Sequence, residues 1–229
     1  MRHNTGIPGS GRVTAALGAA AVLLILAMGH GHSETLLSSR YAGVLPAGAG
    51  DAAPTAAWTA FCKRLPDECR IEVTEPTTIT LTPAVSDLIA ATNLLVNTTI
   101  KPMTDRQHWG VEDRWDFPDD GFGDCEDYQL LKRKLLTDAG LPRRAMRMTV
   151  VIDADGDGHA VLTIRTDRGD LILDNKRDAV LAWNETGYEF IKREGADTAA
   201  WVALGGEPAR TVVASRSVPD ARGSSPARR

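Results

Sequence analysis

At Pro142 the apolar pattern of this chain changes its period, and no other feature restricts the fold as much. Before that point apolar residues recur at helical spacing. After it, Met146, Met148 and Val150 alternate with Arg147 and Thr149. A period near 3.6 predicts helices and a period of two predicts half-buried strands. Helices first and an antiparallel sheet afterwards define an α+β domain.

Three helices are predicted. The first covers residues 58–65 and stops at Pro66. The second starts at Thr82-Pro83, with threonine as cap and proline at the first helical position, and runs to about Asn97. The third begins at Cys125. Asp124 caps it, Asp127 puts negative charge in its first turn, and Gly140 with Pro142 ends it. Between the second and third lies a polar loop over 105–122 that carries Trp109 and Trp115. A loop of that length in a compact domain is usually functional or disordered. The predicted strands are 146–152, 160–166, 171–174, 179–183 and 188–192.

The flanks have a different character. Arg2, His3 and Arg12 precede an apolar run over 13–28, followed by small residues. That is the pattern of a signal peptide, and the run is shorter than the ~20 residues that span a bilayer. Residues 1–29 are therefore expected to be a cleaved leader, an uncleaved anchor being the alternative. Residues 30–57 are rich in Ala, Gly and Pro and read as a flexible linker. Residues 205–229 carry five arginines against Glu207 and Asp220 and read as a disordered basic tail. The span between, 58–204, is long enough for one domain with its own core.

Export favours disulfides. Cys62 and Cys69 are expected to bridge a short loop, two reduced thiols being the alternative. Cys125 is then the odd thiol, at a helix start where backbone N–H groups and the dipole favour a thiolate. A nucleophile needs a base. His3, His30 and His32 lie in or beside the leader, and His108 follows Gln107 in the polar loop as a surface residue. His159, which opens a strand after a glycine-rich turn, is the better base. Asp174 ends the next apolar strand. If the hairpin between them has a two- or four-residue loop, His159 and Asp174 point to the same face of the sheet. Asp174 would then hold the imidazole in place.

Asp124, Glu126 and Asp127 crowd the thiol with negative charge and oppose its ionisation. Either a bound cation such as Ca²⁺ cancels that charge, or the carboxylates cap the helix and face solvent. A second acidic run, Asp153-x-Asp155-x-Asp157-Gly158, matches the start of an EF-hand loop. Its twelfth position is Ile164 rather than a glutamate, so it is expected to be a β-turn.

In combination, several stretches resemble the bacterial transglutaminase-like cysteine peptidases, a branch of the papain-like and transglutaminase-like superfamily. They are Phe61-Cys62-Lys63-Arg64 through Glu68-Cys69, Asp113-Arg114-Trp115, Gly123-Asp124-Cys125-Glu126-Asp127-Tyr128, Gly158-His159-Ala160-Val161-Leu162 and Leu173-Asp174-Asn175. The resemblance covers roughly 58–204. It implies a papain/transglutaminase-like core and a Cys125–His159–Asp174 triad, in agreement with the reading above. It also implies a Ca²⁺ site at Asp124 and Glu126, with Asp127 beside them. Peptidases of the characterised branch act in the periplasm on large surface adhesins, under an inner-membrane receptor for a cyclic dinucleotide. A protein substrate, an adhesin among the candidates, and such a receptor are the partners implied; no nucleic-acid partner is expected.

The leading expectation is a periplasmic cysteine endopeptidase. The backbone N–H of Cys125 and the indole N–H of Trp115 are its candidate oxyanion donors. An acyltransferase or amidase on the same triad is the alternative enzyme. A catalytically silent calcium-binding module is the non-enzymatic one.

Overall fold

A computed structural model describes residues 43–46, 50–198 and 200–205. The expected leader, most of the expected linker and nearly all of the basic tail lie outside the described residues. Among those described, no helix is long and apolar enough to cross a membrane.

The helices start where their caps stand. Helix α1 (Ala56–Arg64) is capped by Thr55, whose hydroxyl accepts from the N–H of Trp58 at 3.0 Å. Helix α2 (Pro83–Thr99) is capped by Thr82, which accepts from Val85. The loop between the second and third predicted helices is more ordered than expected. It contains the one-turn helix α3 (Asp105–His108) and the strand β3 (Phe122–Gly123), which pairs in parallel with β2 (Lys101–Pro102). Helix α4 (Cys125–Asp138) follows, and Gly140 (φ 93°) ends it in the left-handed conformation that glycine adopts without strain.

Seven strands form one antiparallel sheet in the order β1-β9-β8-β4-β5-β6-β7. They are β1 (Asp51–Ala52), β4 (Met146–Ile152), β5 (Gly158–Thr166), β6 (Gly169–Asp174), β7 (Arg177–Ala182), β8 (Glu189–Glu194) and β9 (Trp201–Ala203). Alternation divides the sheet between two cores. Met146, Met148, Val150, Leu162, Ile164, Leu171 and Leu173 pack with Trp58 and Phe61 of α1, Ile89 of α2 and Leu130 and Leu136 of α4. Val151, Val161, Ile172 and Phe190 form a smaller cluster with Leu45.

Leu45 extends the domain into the stretch read as linker. It is buried, and its N–H donates to Asp170 Oδ2 at 3.0 Å. Farther along, Asp51 and Ala52 pair with Val202 and Trp201 of β9. These backbone groups find partners at a sheet edge, a stabilisation that composition does not reveal. The bridge between Cys62 and Cys69 is present and ties the end of α1 to the turn after it.

Candidate active site

The β5–β6 hairpin decides which residues meet. Thr166 faces Gly169 across a two-residue loop, and Leu162 faces Leu173. That register satisfies the parity condition and puts His159 on the same face as Asp174. His159 Nε2 lies 2.8 Å from Asp174 Oδ1, both side chains being buried. Tyr188 donates its hydroxyl to Asp174 Oδ2 at 2.6 Å, and the N–H of Lys176 donates to Oδ1 at 2.9 Å. Burial alone would raise the Asp174 pKa. The hydrogen bonds from His159, Tyr188 and Lys176 outweigh it and hold the carboxyl down at about 2. Tyr188 also sets its ring edge-on to the imidazole, with centroids 5.9 Å apart. No sequence pattern marked Tyr188, since it reaches Asp174 from the far side of the β7–β8 connection.

Cys125 begins α4 and packs against Ala160, the neighbour of His159. With Nε2 committed to Asp174, Nδ1 is the imidazole nitrogen left for proton exchange. The thiol is buried and donates to Glu126 Oε2 at 3.1 Å. Burial, and then the charge of Asp124, push its pKa up, against the Glu126 hydrogen bond.

The acidic residues around the thiol divide into two roles. Asp127 spends its carboxylate on the backbone: Oδ1 accepts from Asp116 N–H at 2.8 Å and Oδ2 from Asp124 N–H at 3.4 Å. Asp124, Glu126 and Asp105 turn toward one another, each offering an oxygen within 4.8 Å of the others. Asp105 comes from the first turn of α3 and has no mark in the sequence beyond the Thr104-x-x-Gln107 capping box. It is oriented by the N–H of Arg114, and its own N–H donates to Asp124 Oδ2 at 3.2 Å. Burial and the Asp124 charge raise the Asp105 pKa to about 7. Glu126 is driven well above the carboxylate range by burial first, then by the thiol and its acidic neighbours. Carboxylates that raise one another's pKa in this way fit a hard cation with oxygen ligands. The trio of Asp105, Asp124 and Glu126 can therefore hold a metal ion.

The remaining residues singled out in the sequence stand as follows. Trp115 is fully buried, with Trp58 edge-on at 5.1 Å and Trp201 at 6.3 Å, so the structure gives its indole a place in the core packing. His108 lies on α3, paired with Asp120 at 2.7 Å and stacked beside Trp109. Asp153 closes the β4–β5 turn, its Oδ1 accepting from the N–H groups of Asp155 and Asp157 at 3.0 Å each. The segment is the β-turn expected, its carboxylate bonded to its own backbone.

The helix-borne Cys125 packs on Ala160, and the residue before it in the strand, His159, is bonded to Asp174. Residues 48–209 match the family described as bacterial transglutaminase-like cysteine proteinase BTLCP. The chain belongs to that family and is a cysteine peptidase acting on protein. No curated protein matches the chain. Solved structures similar to it include Legionella pneumophila LapG, at 25% identity over 56% of this chain and 73% of that chain, with a TM-score of 0.45. The calcium-bound form of Legionella pneumophila LapG aligns at 22% identity over 67% of this chain and 83% of that chain, with a TM-score of 0.46.

Proposed function

We propose that the protein is a periplasmic endopeptidase that works through Cys125, His159 and Asp174, with Ca²⁺ held by Asp105, Asp124 and Glu126. The observation that carries this reading is the buried 2.8 Å contact between His159 Nε2 and Asp174 Oδ1, next to the residue that packs on Cys125. Cys125 Sγ attacks a peptide carbonyl carbon and passes its proton to His159 Nδ1. The backbone N–H of Cys125 donates to the oxyanion that forms. Collapse of the tetrahedral species expels the amine, which takes the proton from His159. Water, deprotonated by the same imidazole, then hydrolyses the thioester and frees the acid. Asp174 keeps the ring in one orientation throughout and stabilises its protonated form. When bound, the cation offsets the charge of three carboxylates beside the thiol. The periplasmic placement rests on the leader pattern.

The test is a digest of a proteome-derived peptide library, followed by sequencing of new termini. Wild-type protein should create new N-termini that Cys125→Ala does not. The same termini in both digests would refute the nucleophile. Joining of peptides to a supplied amine, in place of new acids, would assign acyl transfer to the same triad. Export is checked by fractionating cells that express the full chain, where a shortened N-terminus in the periplasmic fraction is expected.

A further inference from the structure

The acidic turn before β5 is joined to the triad by a lysine. Asp153 is buried, and its two carboxylate oxygens have different partners. Oδ1 holds the N–H groups of Asp155 and Asp157, while Oδ2 accepts from the ammonium of Lys176. Lys176 lies in the β6–β7 turn, and its own N–H donates to Asp174 Oδ1 at 2.9 Å. One residue thus meets the triad carboxylate through its backbone and the β4–β5 turn through its side chain. That turn leads straight into the imidazole. The Asp153 N–H donates to the carbonyl of Asp157 at 2.9 Å, and only Gly158 separates Asp157 from His159. The bonds close a ring from His159 through Asp174, Lys176, Asp153 and Asp157 back to His159.

The backbone leaves this part of the site to side chains. Strands β5 and β6 pair from Thr166–Gly169 to Leu162–Leu173, and their pairing among the described residues ends before His159 or Asp174 is reached. The β6–β7 register also shifts between Ile172 and Asp174. His159 is placed by β4, opposite Val151, and Asp174 by β7, opposite Arg177. Helix α2 holds the second of these through Asn97, which donates to the carbonyl of Asp174 at 3.0 Å. The gap between the two strand pairs at this end is spanned by the His159–Asp174 contact and by the Lys176–Asp153 bond.

We propose that the Asp153–Lys176 ion pair sets the distance between His159 and Asp174, so that both of its members are positioning residues for the triad. The proposal rests on the triad reading above. Burial opposes the charge on Asp153, but the bonds from Lys176 and from the N–H groups of Asp157 and Asp155 hold its pKa below the usual carboxylate range. Burial likewise opposes the charge on Lys176, and the bond to Asp153 outweighs it and raises the lysine pKa. Each partner therefore keeps the other ionised. Without the ammonium, the buried carboxylate loses its counter-charge, and the turn that carries His159 is released from the turn that carries Asp174.

The test compares Lys176→Met, Asp153→Asn, the double variant and Lys176→Arg in the full chain, on a peptide that the wild type cuts. Each of the first two should lose roughly tenfold in kcat with KM within about twofold, the pattern of misplaced catalytic groups. The double variant should be no slower than the slower single one, because both changes break the same link. Lys176→Arg keeps a cation within reach of Asp153 and should recover most of the lost kcat. Unchanged kcat in either single variant, losses that multiply in the double one, or an arginine variant as slow as the methionine one overturns the proposal. Should a single variant fail to fold, Lys176→Gln or Asp153→Ser takes its place under the same criteria. A readout apart from turnover is the downfield proton of the His159–Asp174 hydrogen bond, followed by NMR in Cys125→Ala. It should move when Lys176→Met is added and stay with Lys176→Arg, and a resonance unmoved by either refutes the link. Cleavage by Cys125→Ala sinks the triad itself. A dead Cys125→Ala beside a fully active Lys176→Met sinks only the role of the ion pair.

Discussion

Gly123 stands two residues before the thiol, and replacing it with alanine probes how the nucleophile is held. A Cβ at this position would lie 2.8 Å from both Cβ and Oδ2 of Asp127 and 3.3 Å from its Cγ. Carbon atoms pack at about 3.5–4.0 Å, so the overlap approaches an ångström. The Oδ2 atom can swing away. The Asp127 Cβ cannot, because the first turn of α4 fixes it. Relief requires Asp127 to move, and the carboxylate then leaves the N–H groups of Asp116 (2.8 Å) and Asp124 (3.4 Å). Burial and the Asp124 charge raise the Asp127 pKa, so these bonds are ordinary ones of about 0.5–1.5 kcal/mol each, and the longer belongs at the low end. The expected loss is about 1–2 kcal/mol, or roughly 2–8 °C in Tm for a domain of this size. Urea unfolding of Gly123→Ala measures the first quantity, and peptide cleavage should fall roughly tenfold as the thiol shifts with its helix start. Gly121→Ala is the control. Its φ of 85° disfavours alanine, but nothing lies near the added carbon, so stability drops while kcat stays. A Gly123→Ala protein within about 0.5 kcal/mol of the wild type, with unchanged kcat, would refute the claim that Asp127 anchors the nucleophile.

Calcium should raise Tm and EDTA should lower it, with a stabilisation of about 2.7 kcal/mol when the free ion is a hundredfold above its Kd. Asp105→Asn should abolish the shift seen by scanning calorimetry. In EDTA, stability should decline as pH rises. Asp105, with its pKa raised to about 7 in the fold from 3.8, holds a proton that the unfolded chain has released. Its stabilising contribution is complete below pH 3.8 and is lost as pH rises through about 7. Saturating calcium should flatten that slope, and equal slopes with and without the ion would contradict the assignment. Tyr188→Phe removes the 2.6 Å hydrogen bond to Asp174 while retaining the ring beside His159. Steady-state kinetics should show kcat reduced about three- to tenfold with KM little changed.

Local rules made much of this architecture legible. The caps at Thr82 and Asp124, the stop at Gly140 and the alternation from Met146 onward each act through neighbours in the chain, so a sequence displays them directly. The His159–Asp174 pairing was legible for the same reason, because hairpin parity follows from loop length. What escaped depends on residues distant in sequence. Asp105 lies 19 residues before Asp124 and meets it only because β2 and β3 pair beside them. Tyr188 bonds Asp174 from 14 residues farther along the chain, and Leu45 is placed by Asp170 at a separation of 125 residues. Lys132 stands in the charged run Lys132-Arg133-Lys134 and is nonetheless buried, which helical periodicity on one helix does not display.

The charge balance at the start of α4 explains why a peptidase of this kind would be tied to a cation. A helix N-terminus stabilises a neighbouring anion by about 0.3–1 kcal/mol, rising to about 2 kcal/mol when partly buried. Against it stand the burial of Cys125 and the charge of Asp124, both of which favour the neutral thiol. The nearby basic groups are committed elsewhere. Arg114 pairs with Asp116 at 2.8 Å, Lys176 is bonded to Asp153, and Arg133 is held by Glu194 at 2.7 Å on another side of the helix. An imidazolium at His159 supplies one positive charge, and Asp174 already claims much of it. On the proposed reading, a divalent ion among Asp105, Asp124 and Glu126 supplies the remainder where the excess negative charge lies. The carboxylates that would make Cys125 a poor nucleophile in the bare protein are then the ligands that make its reactivity conditional on the ion.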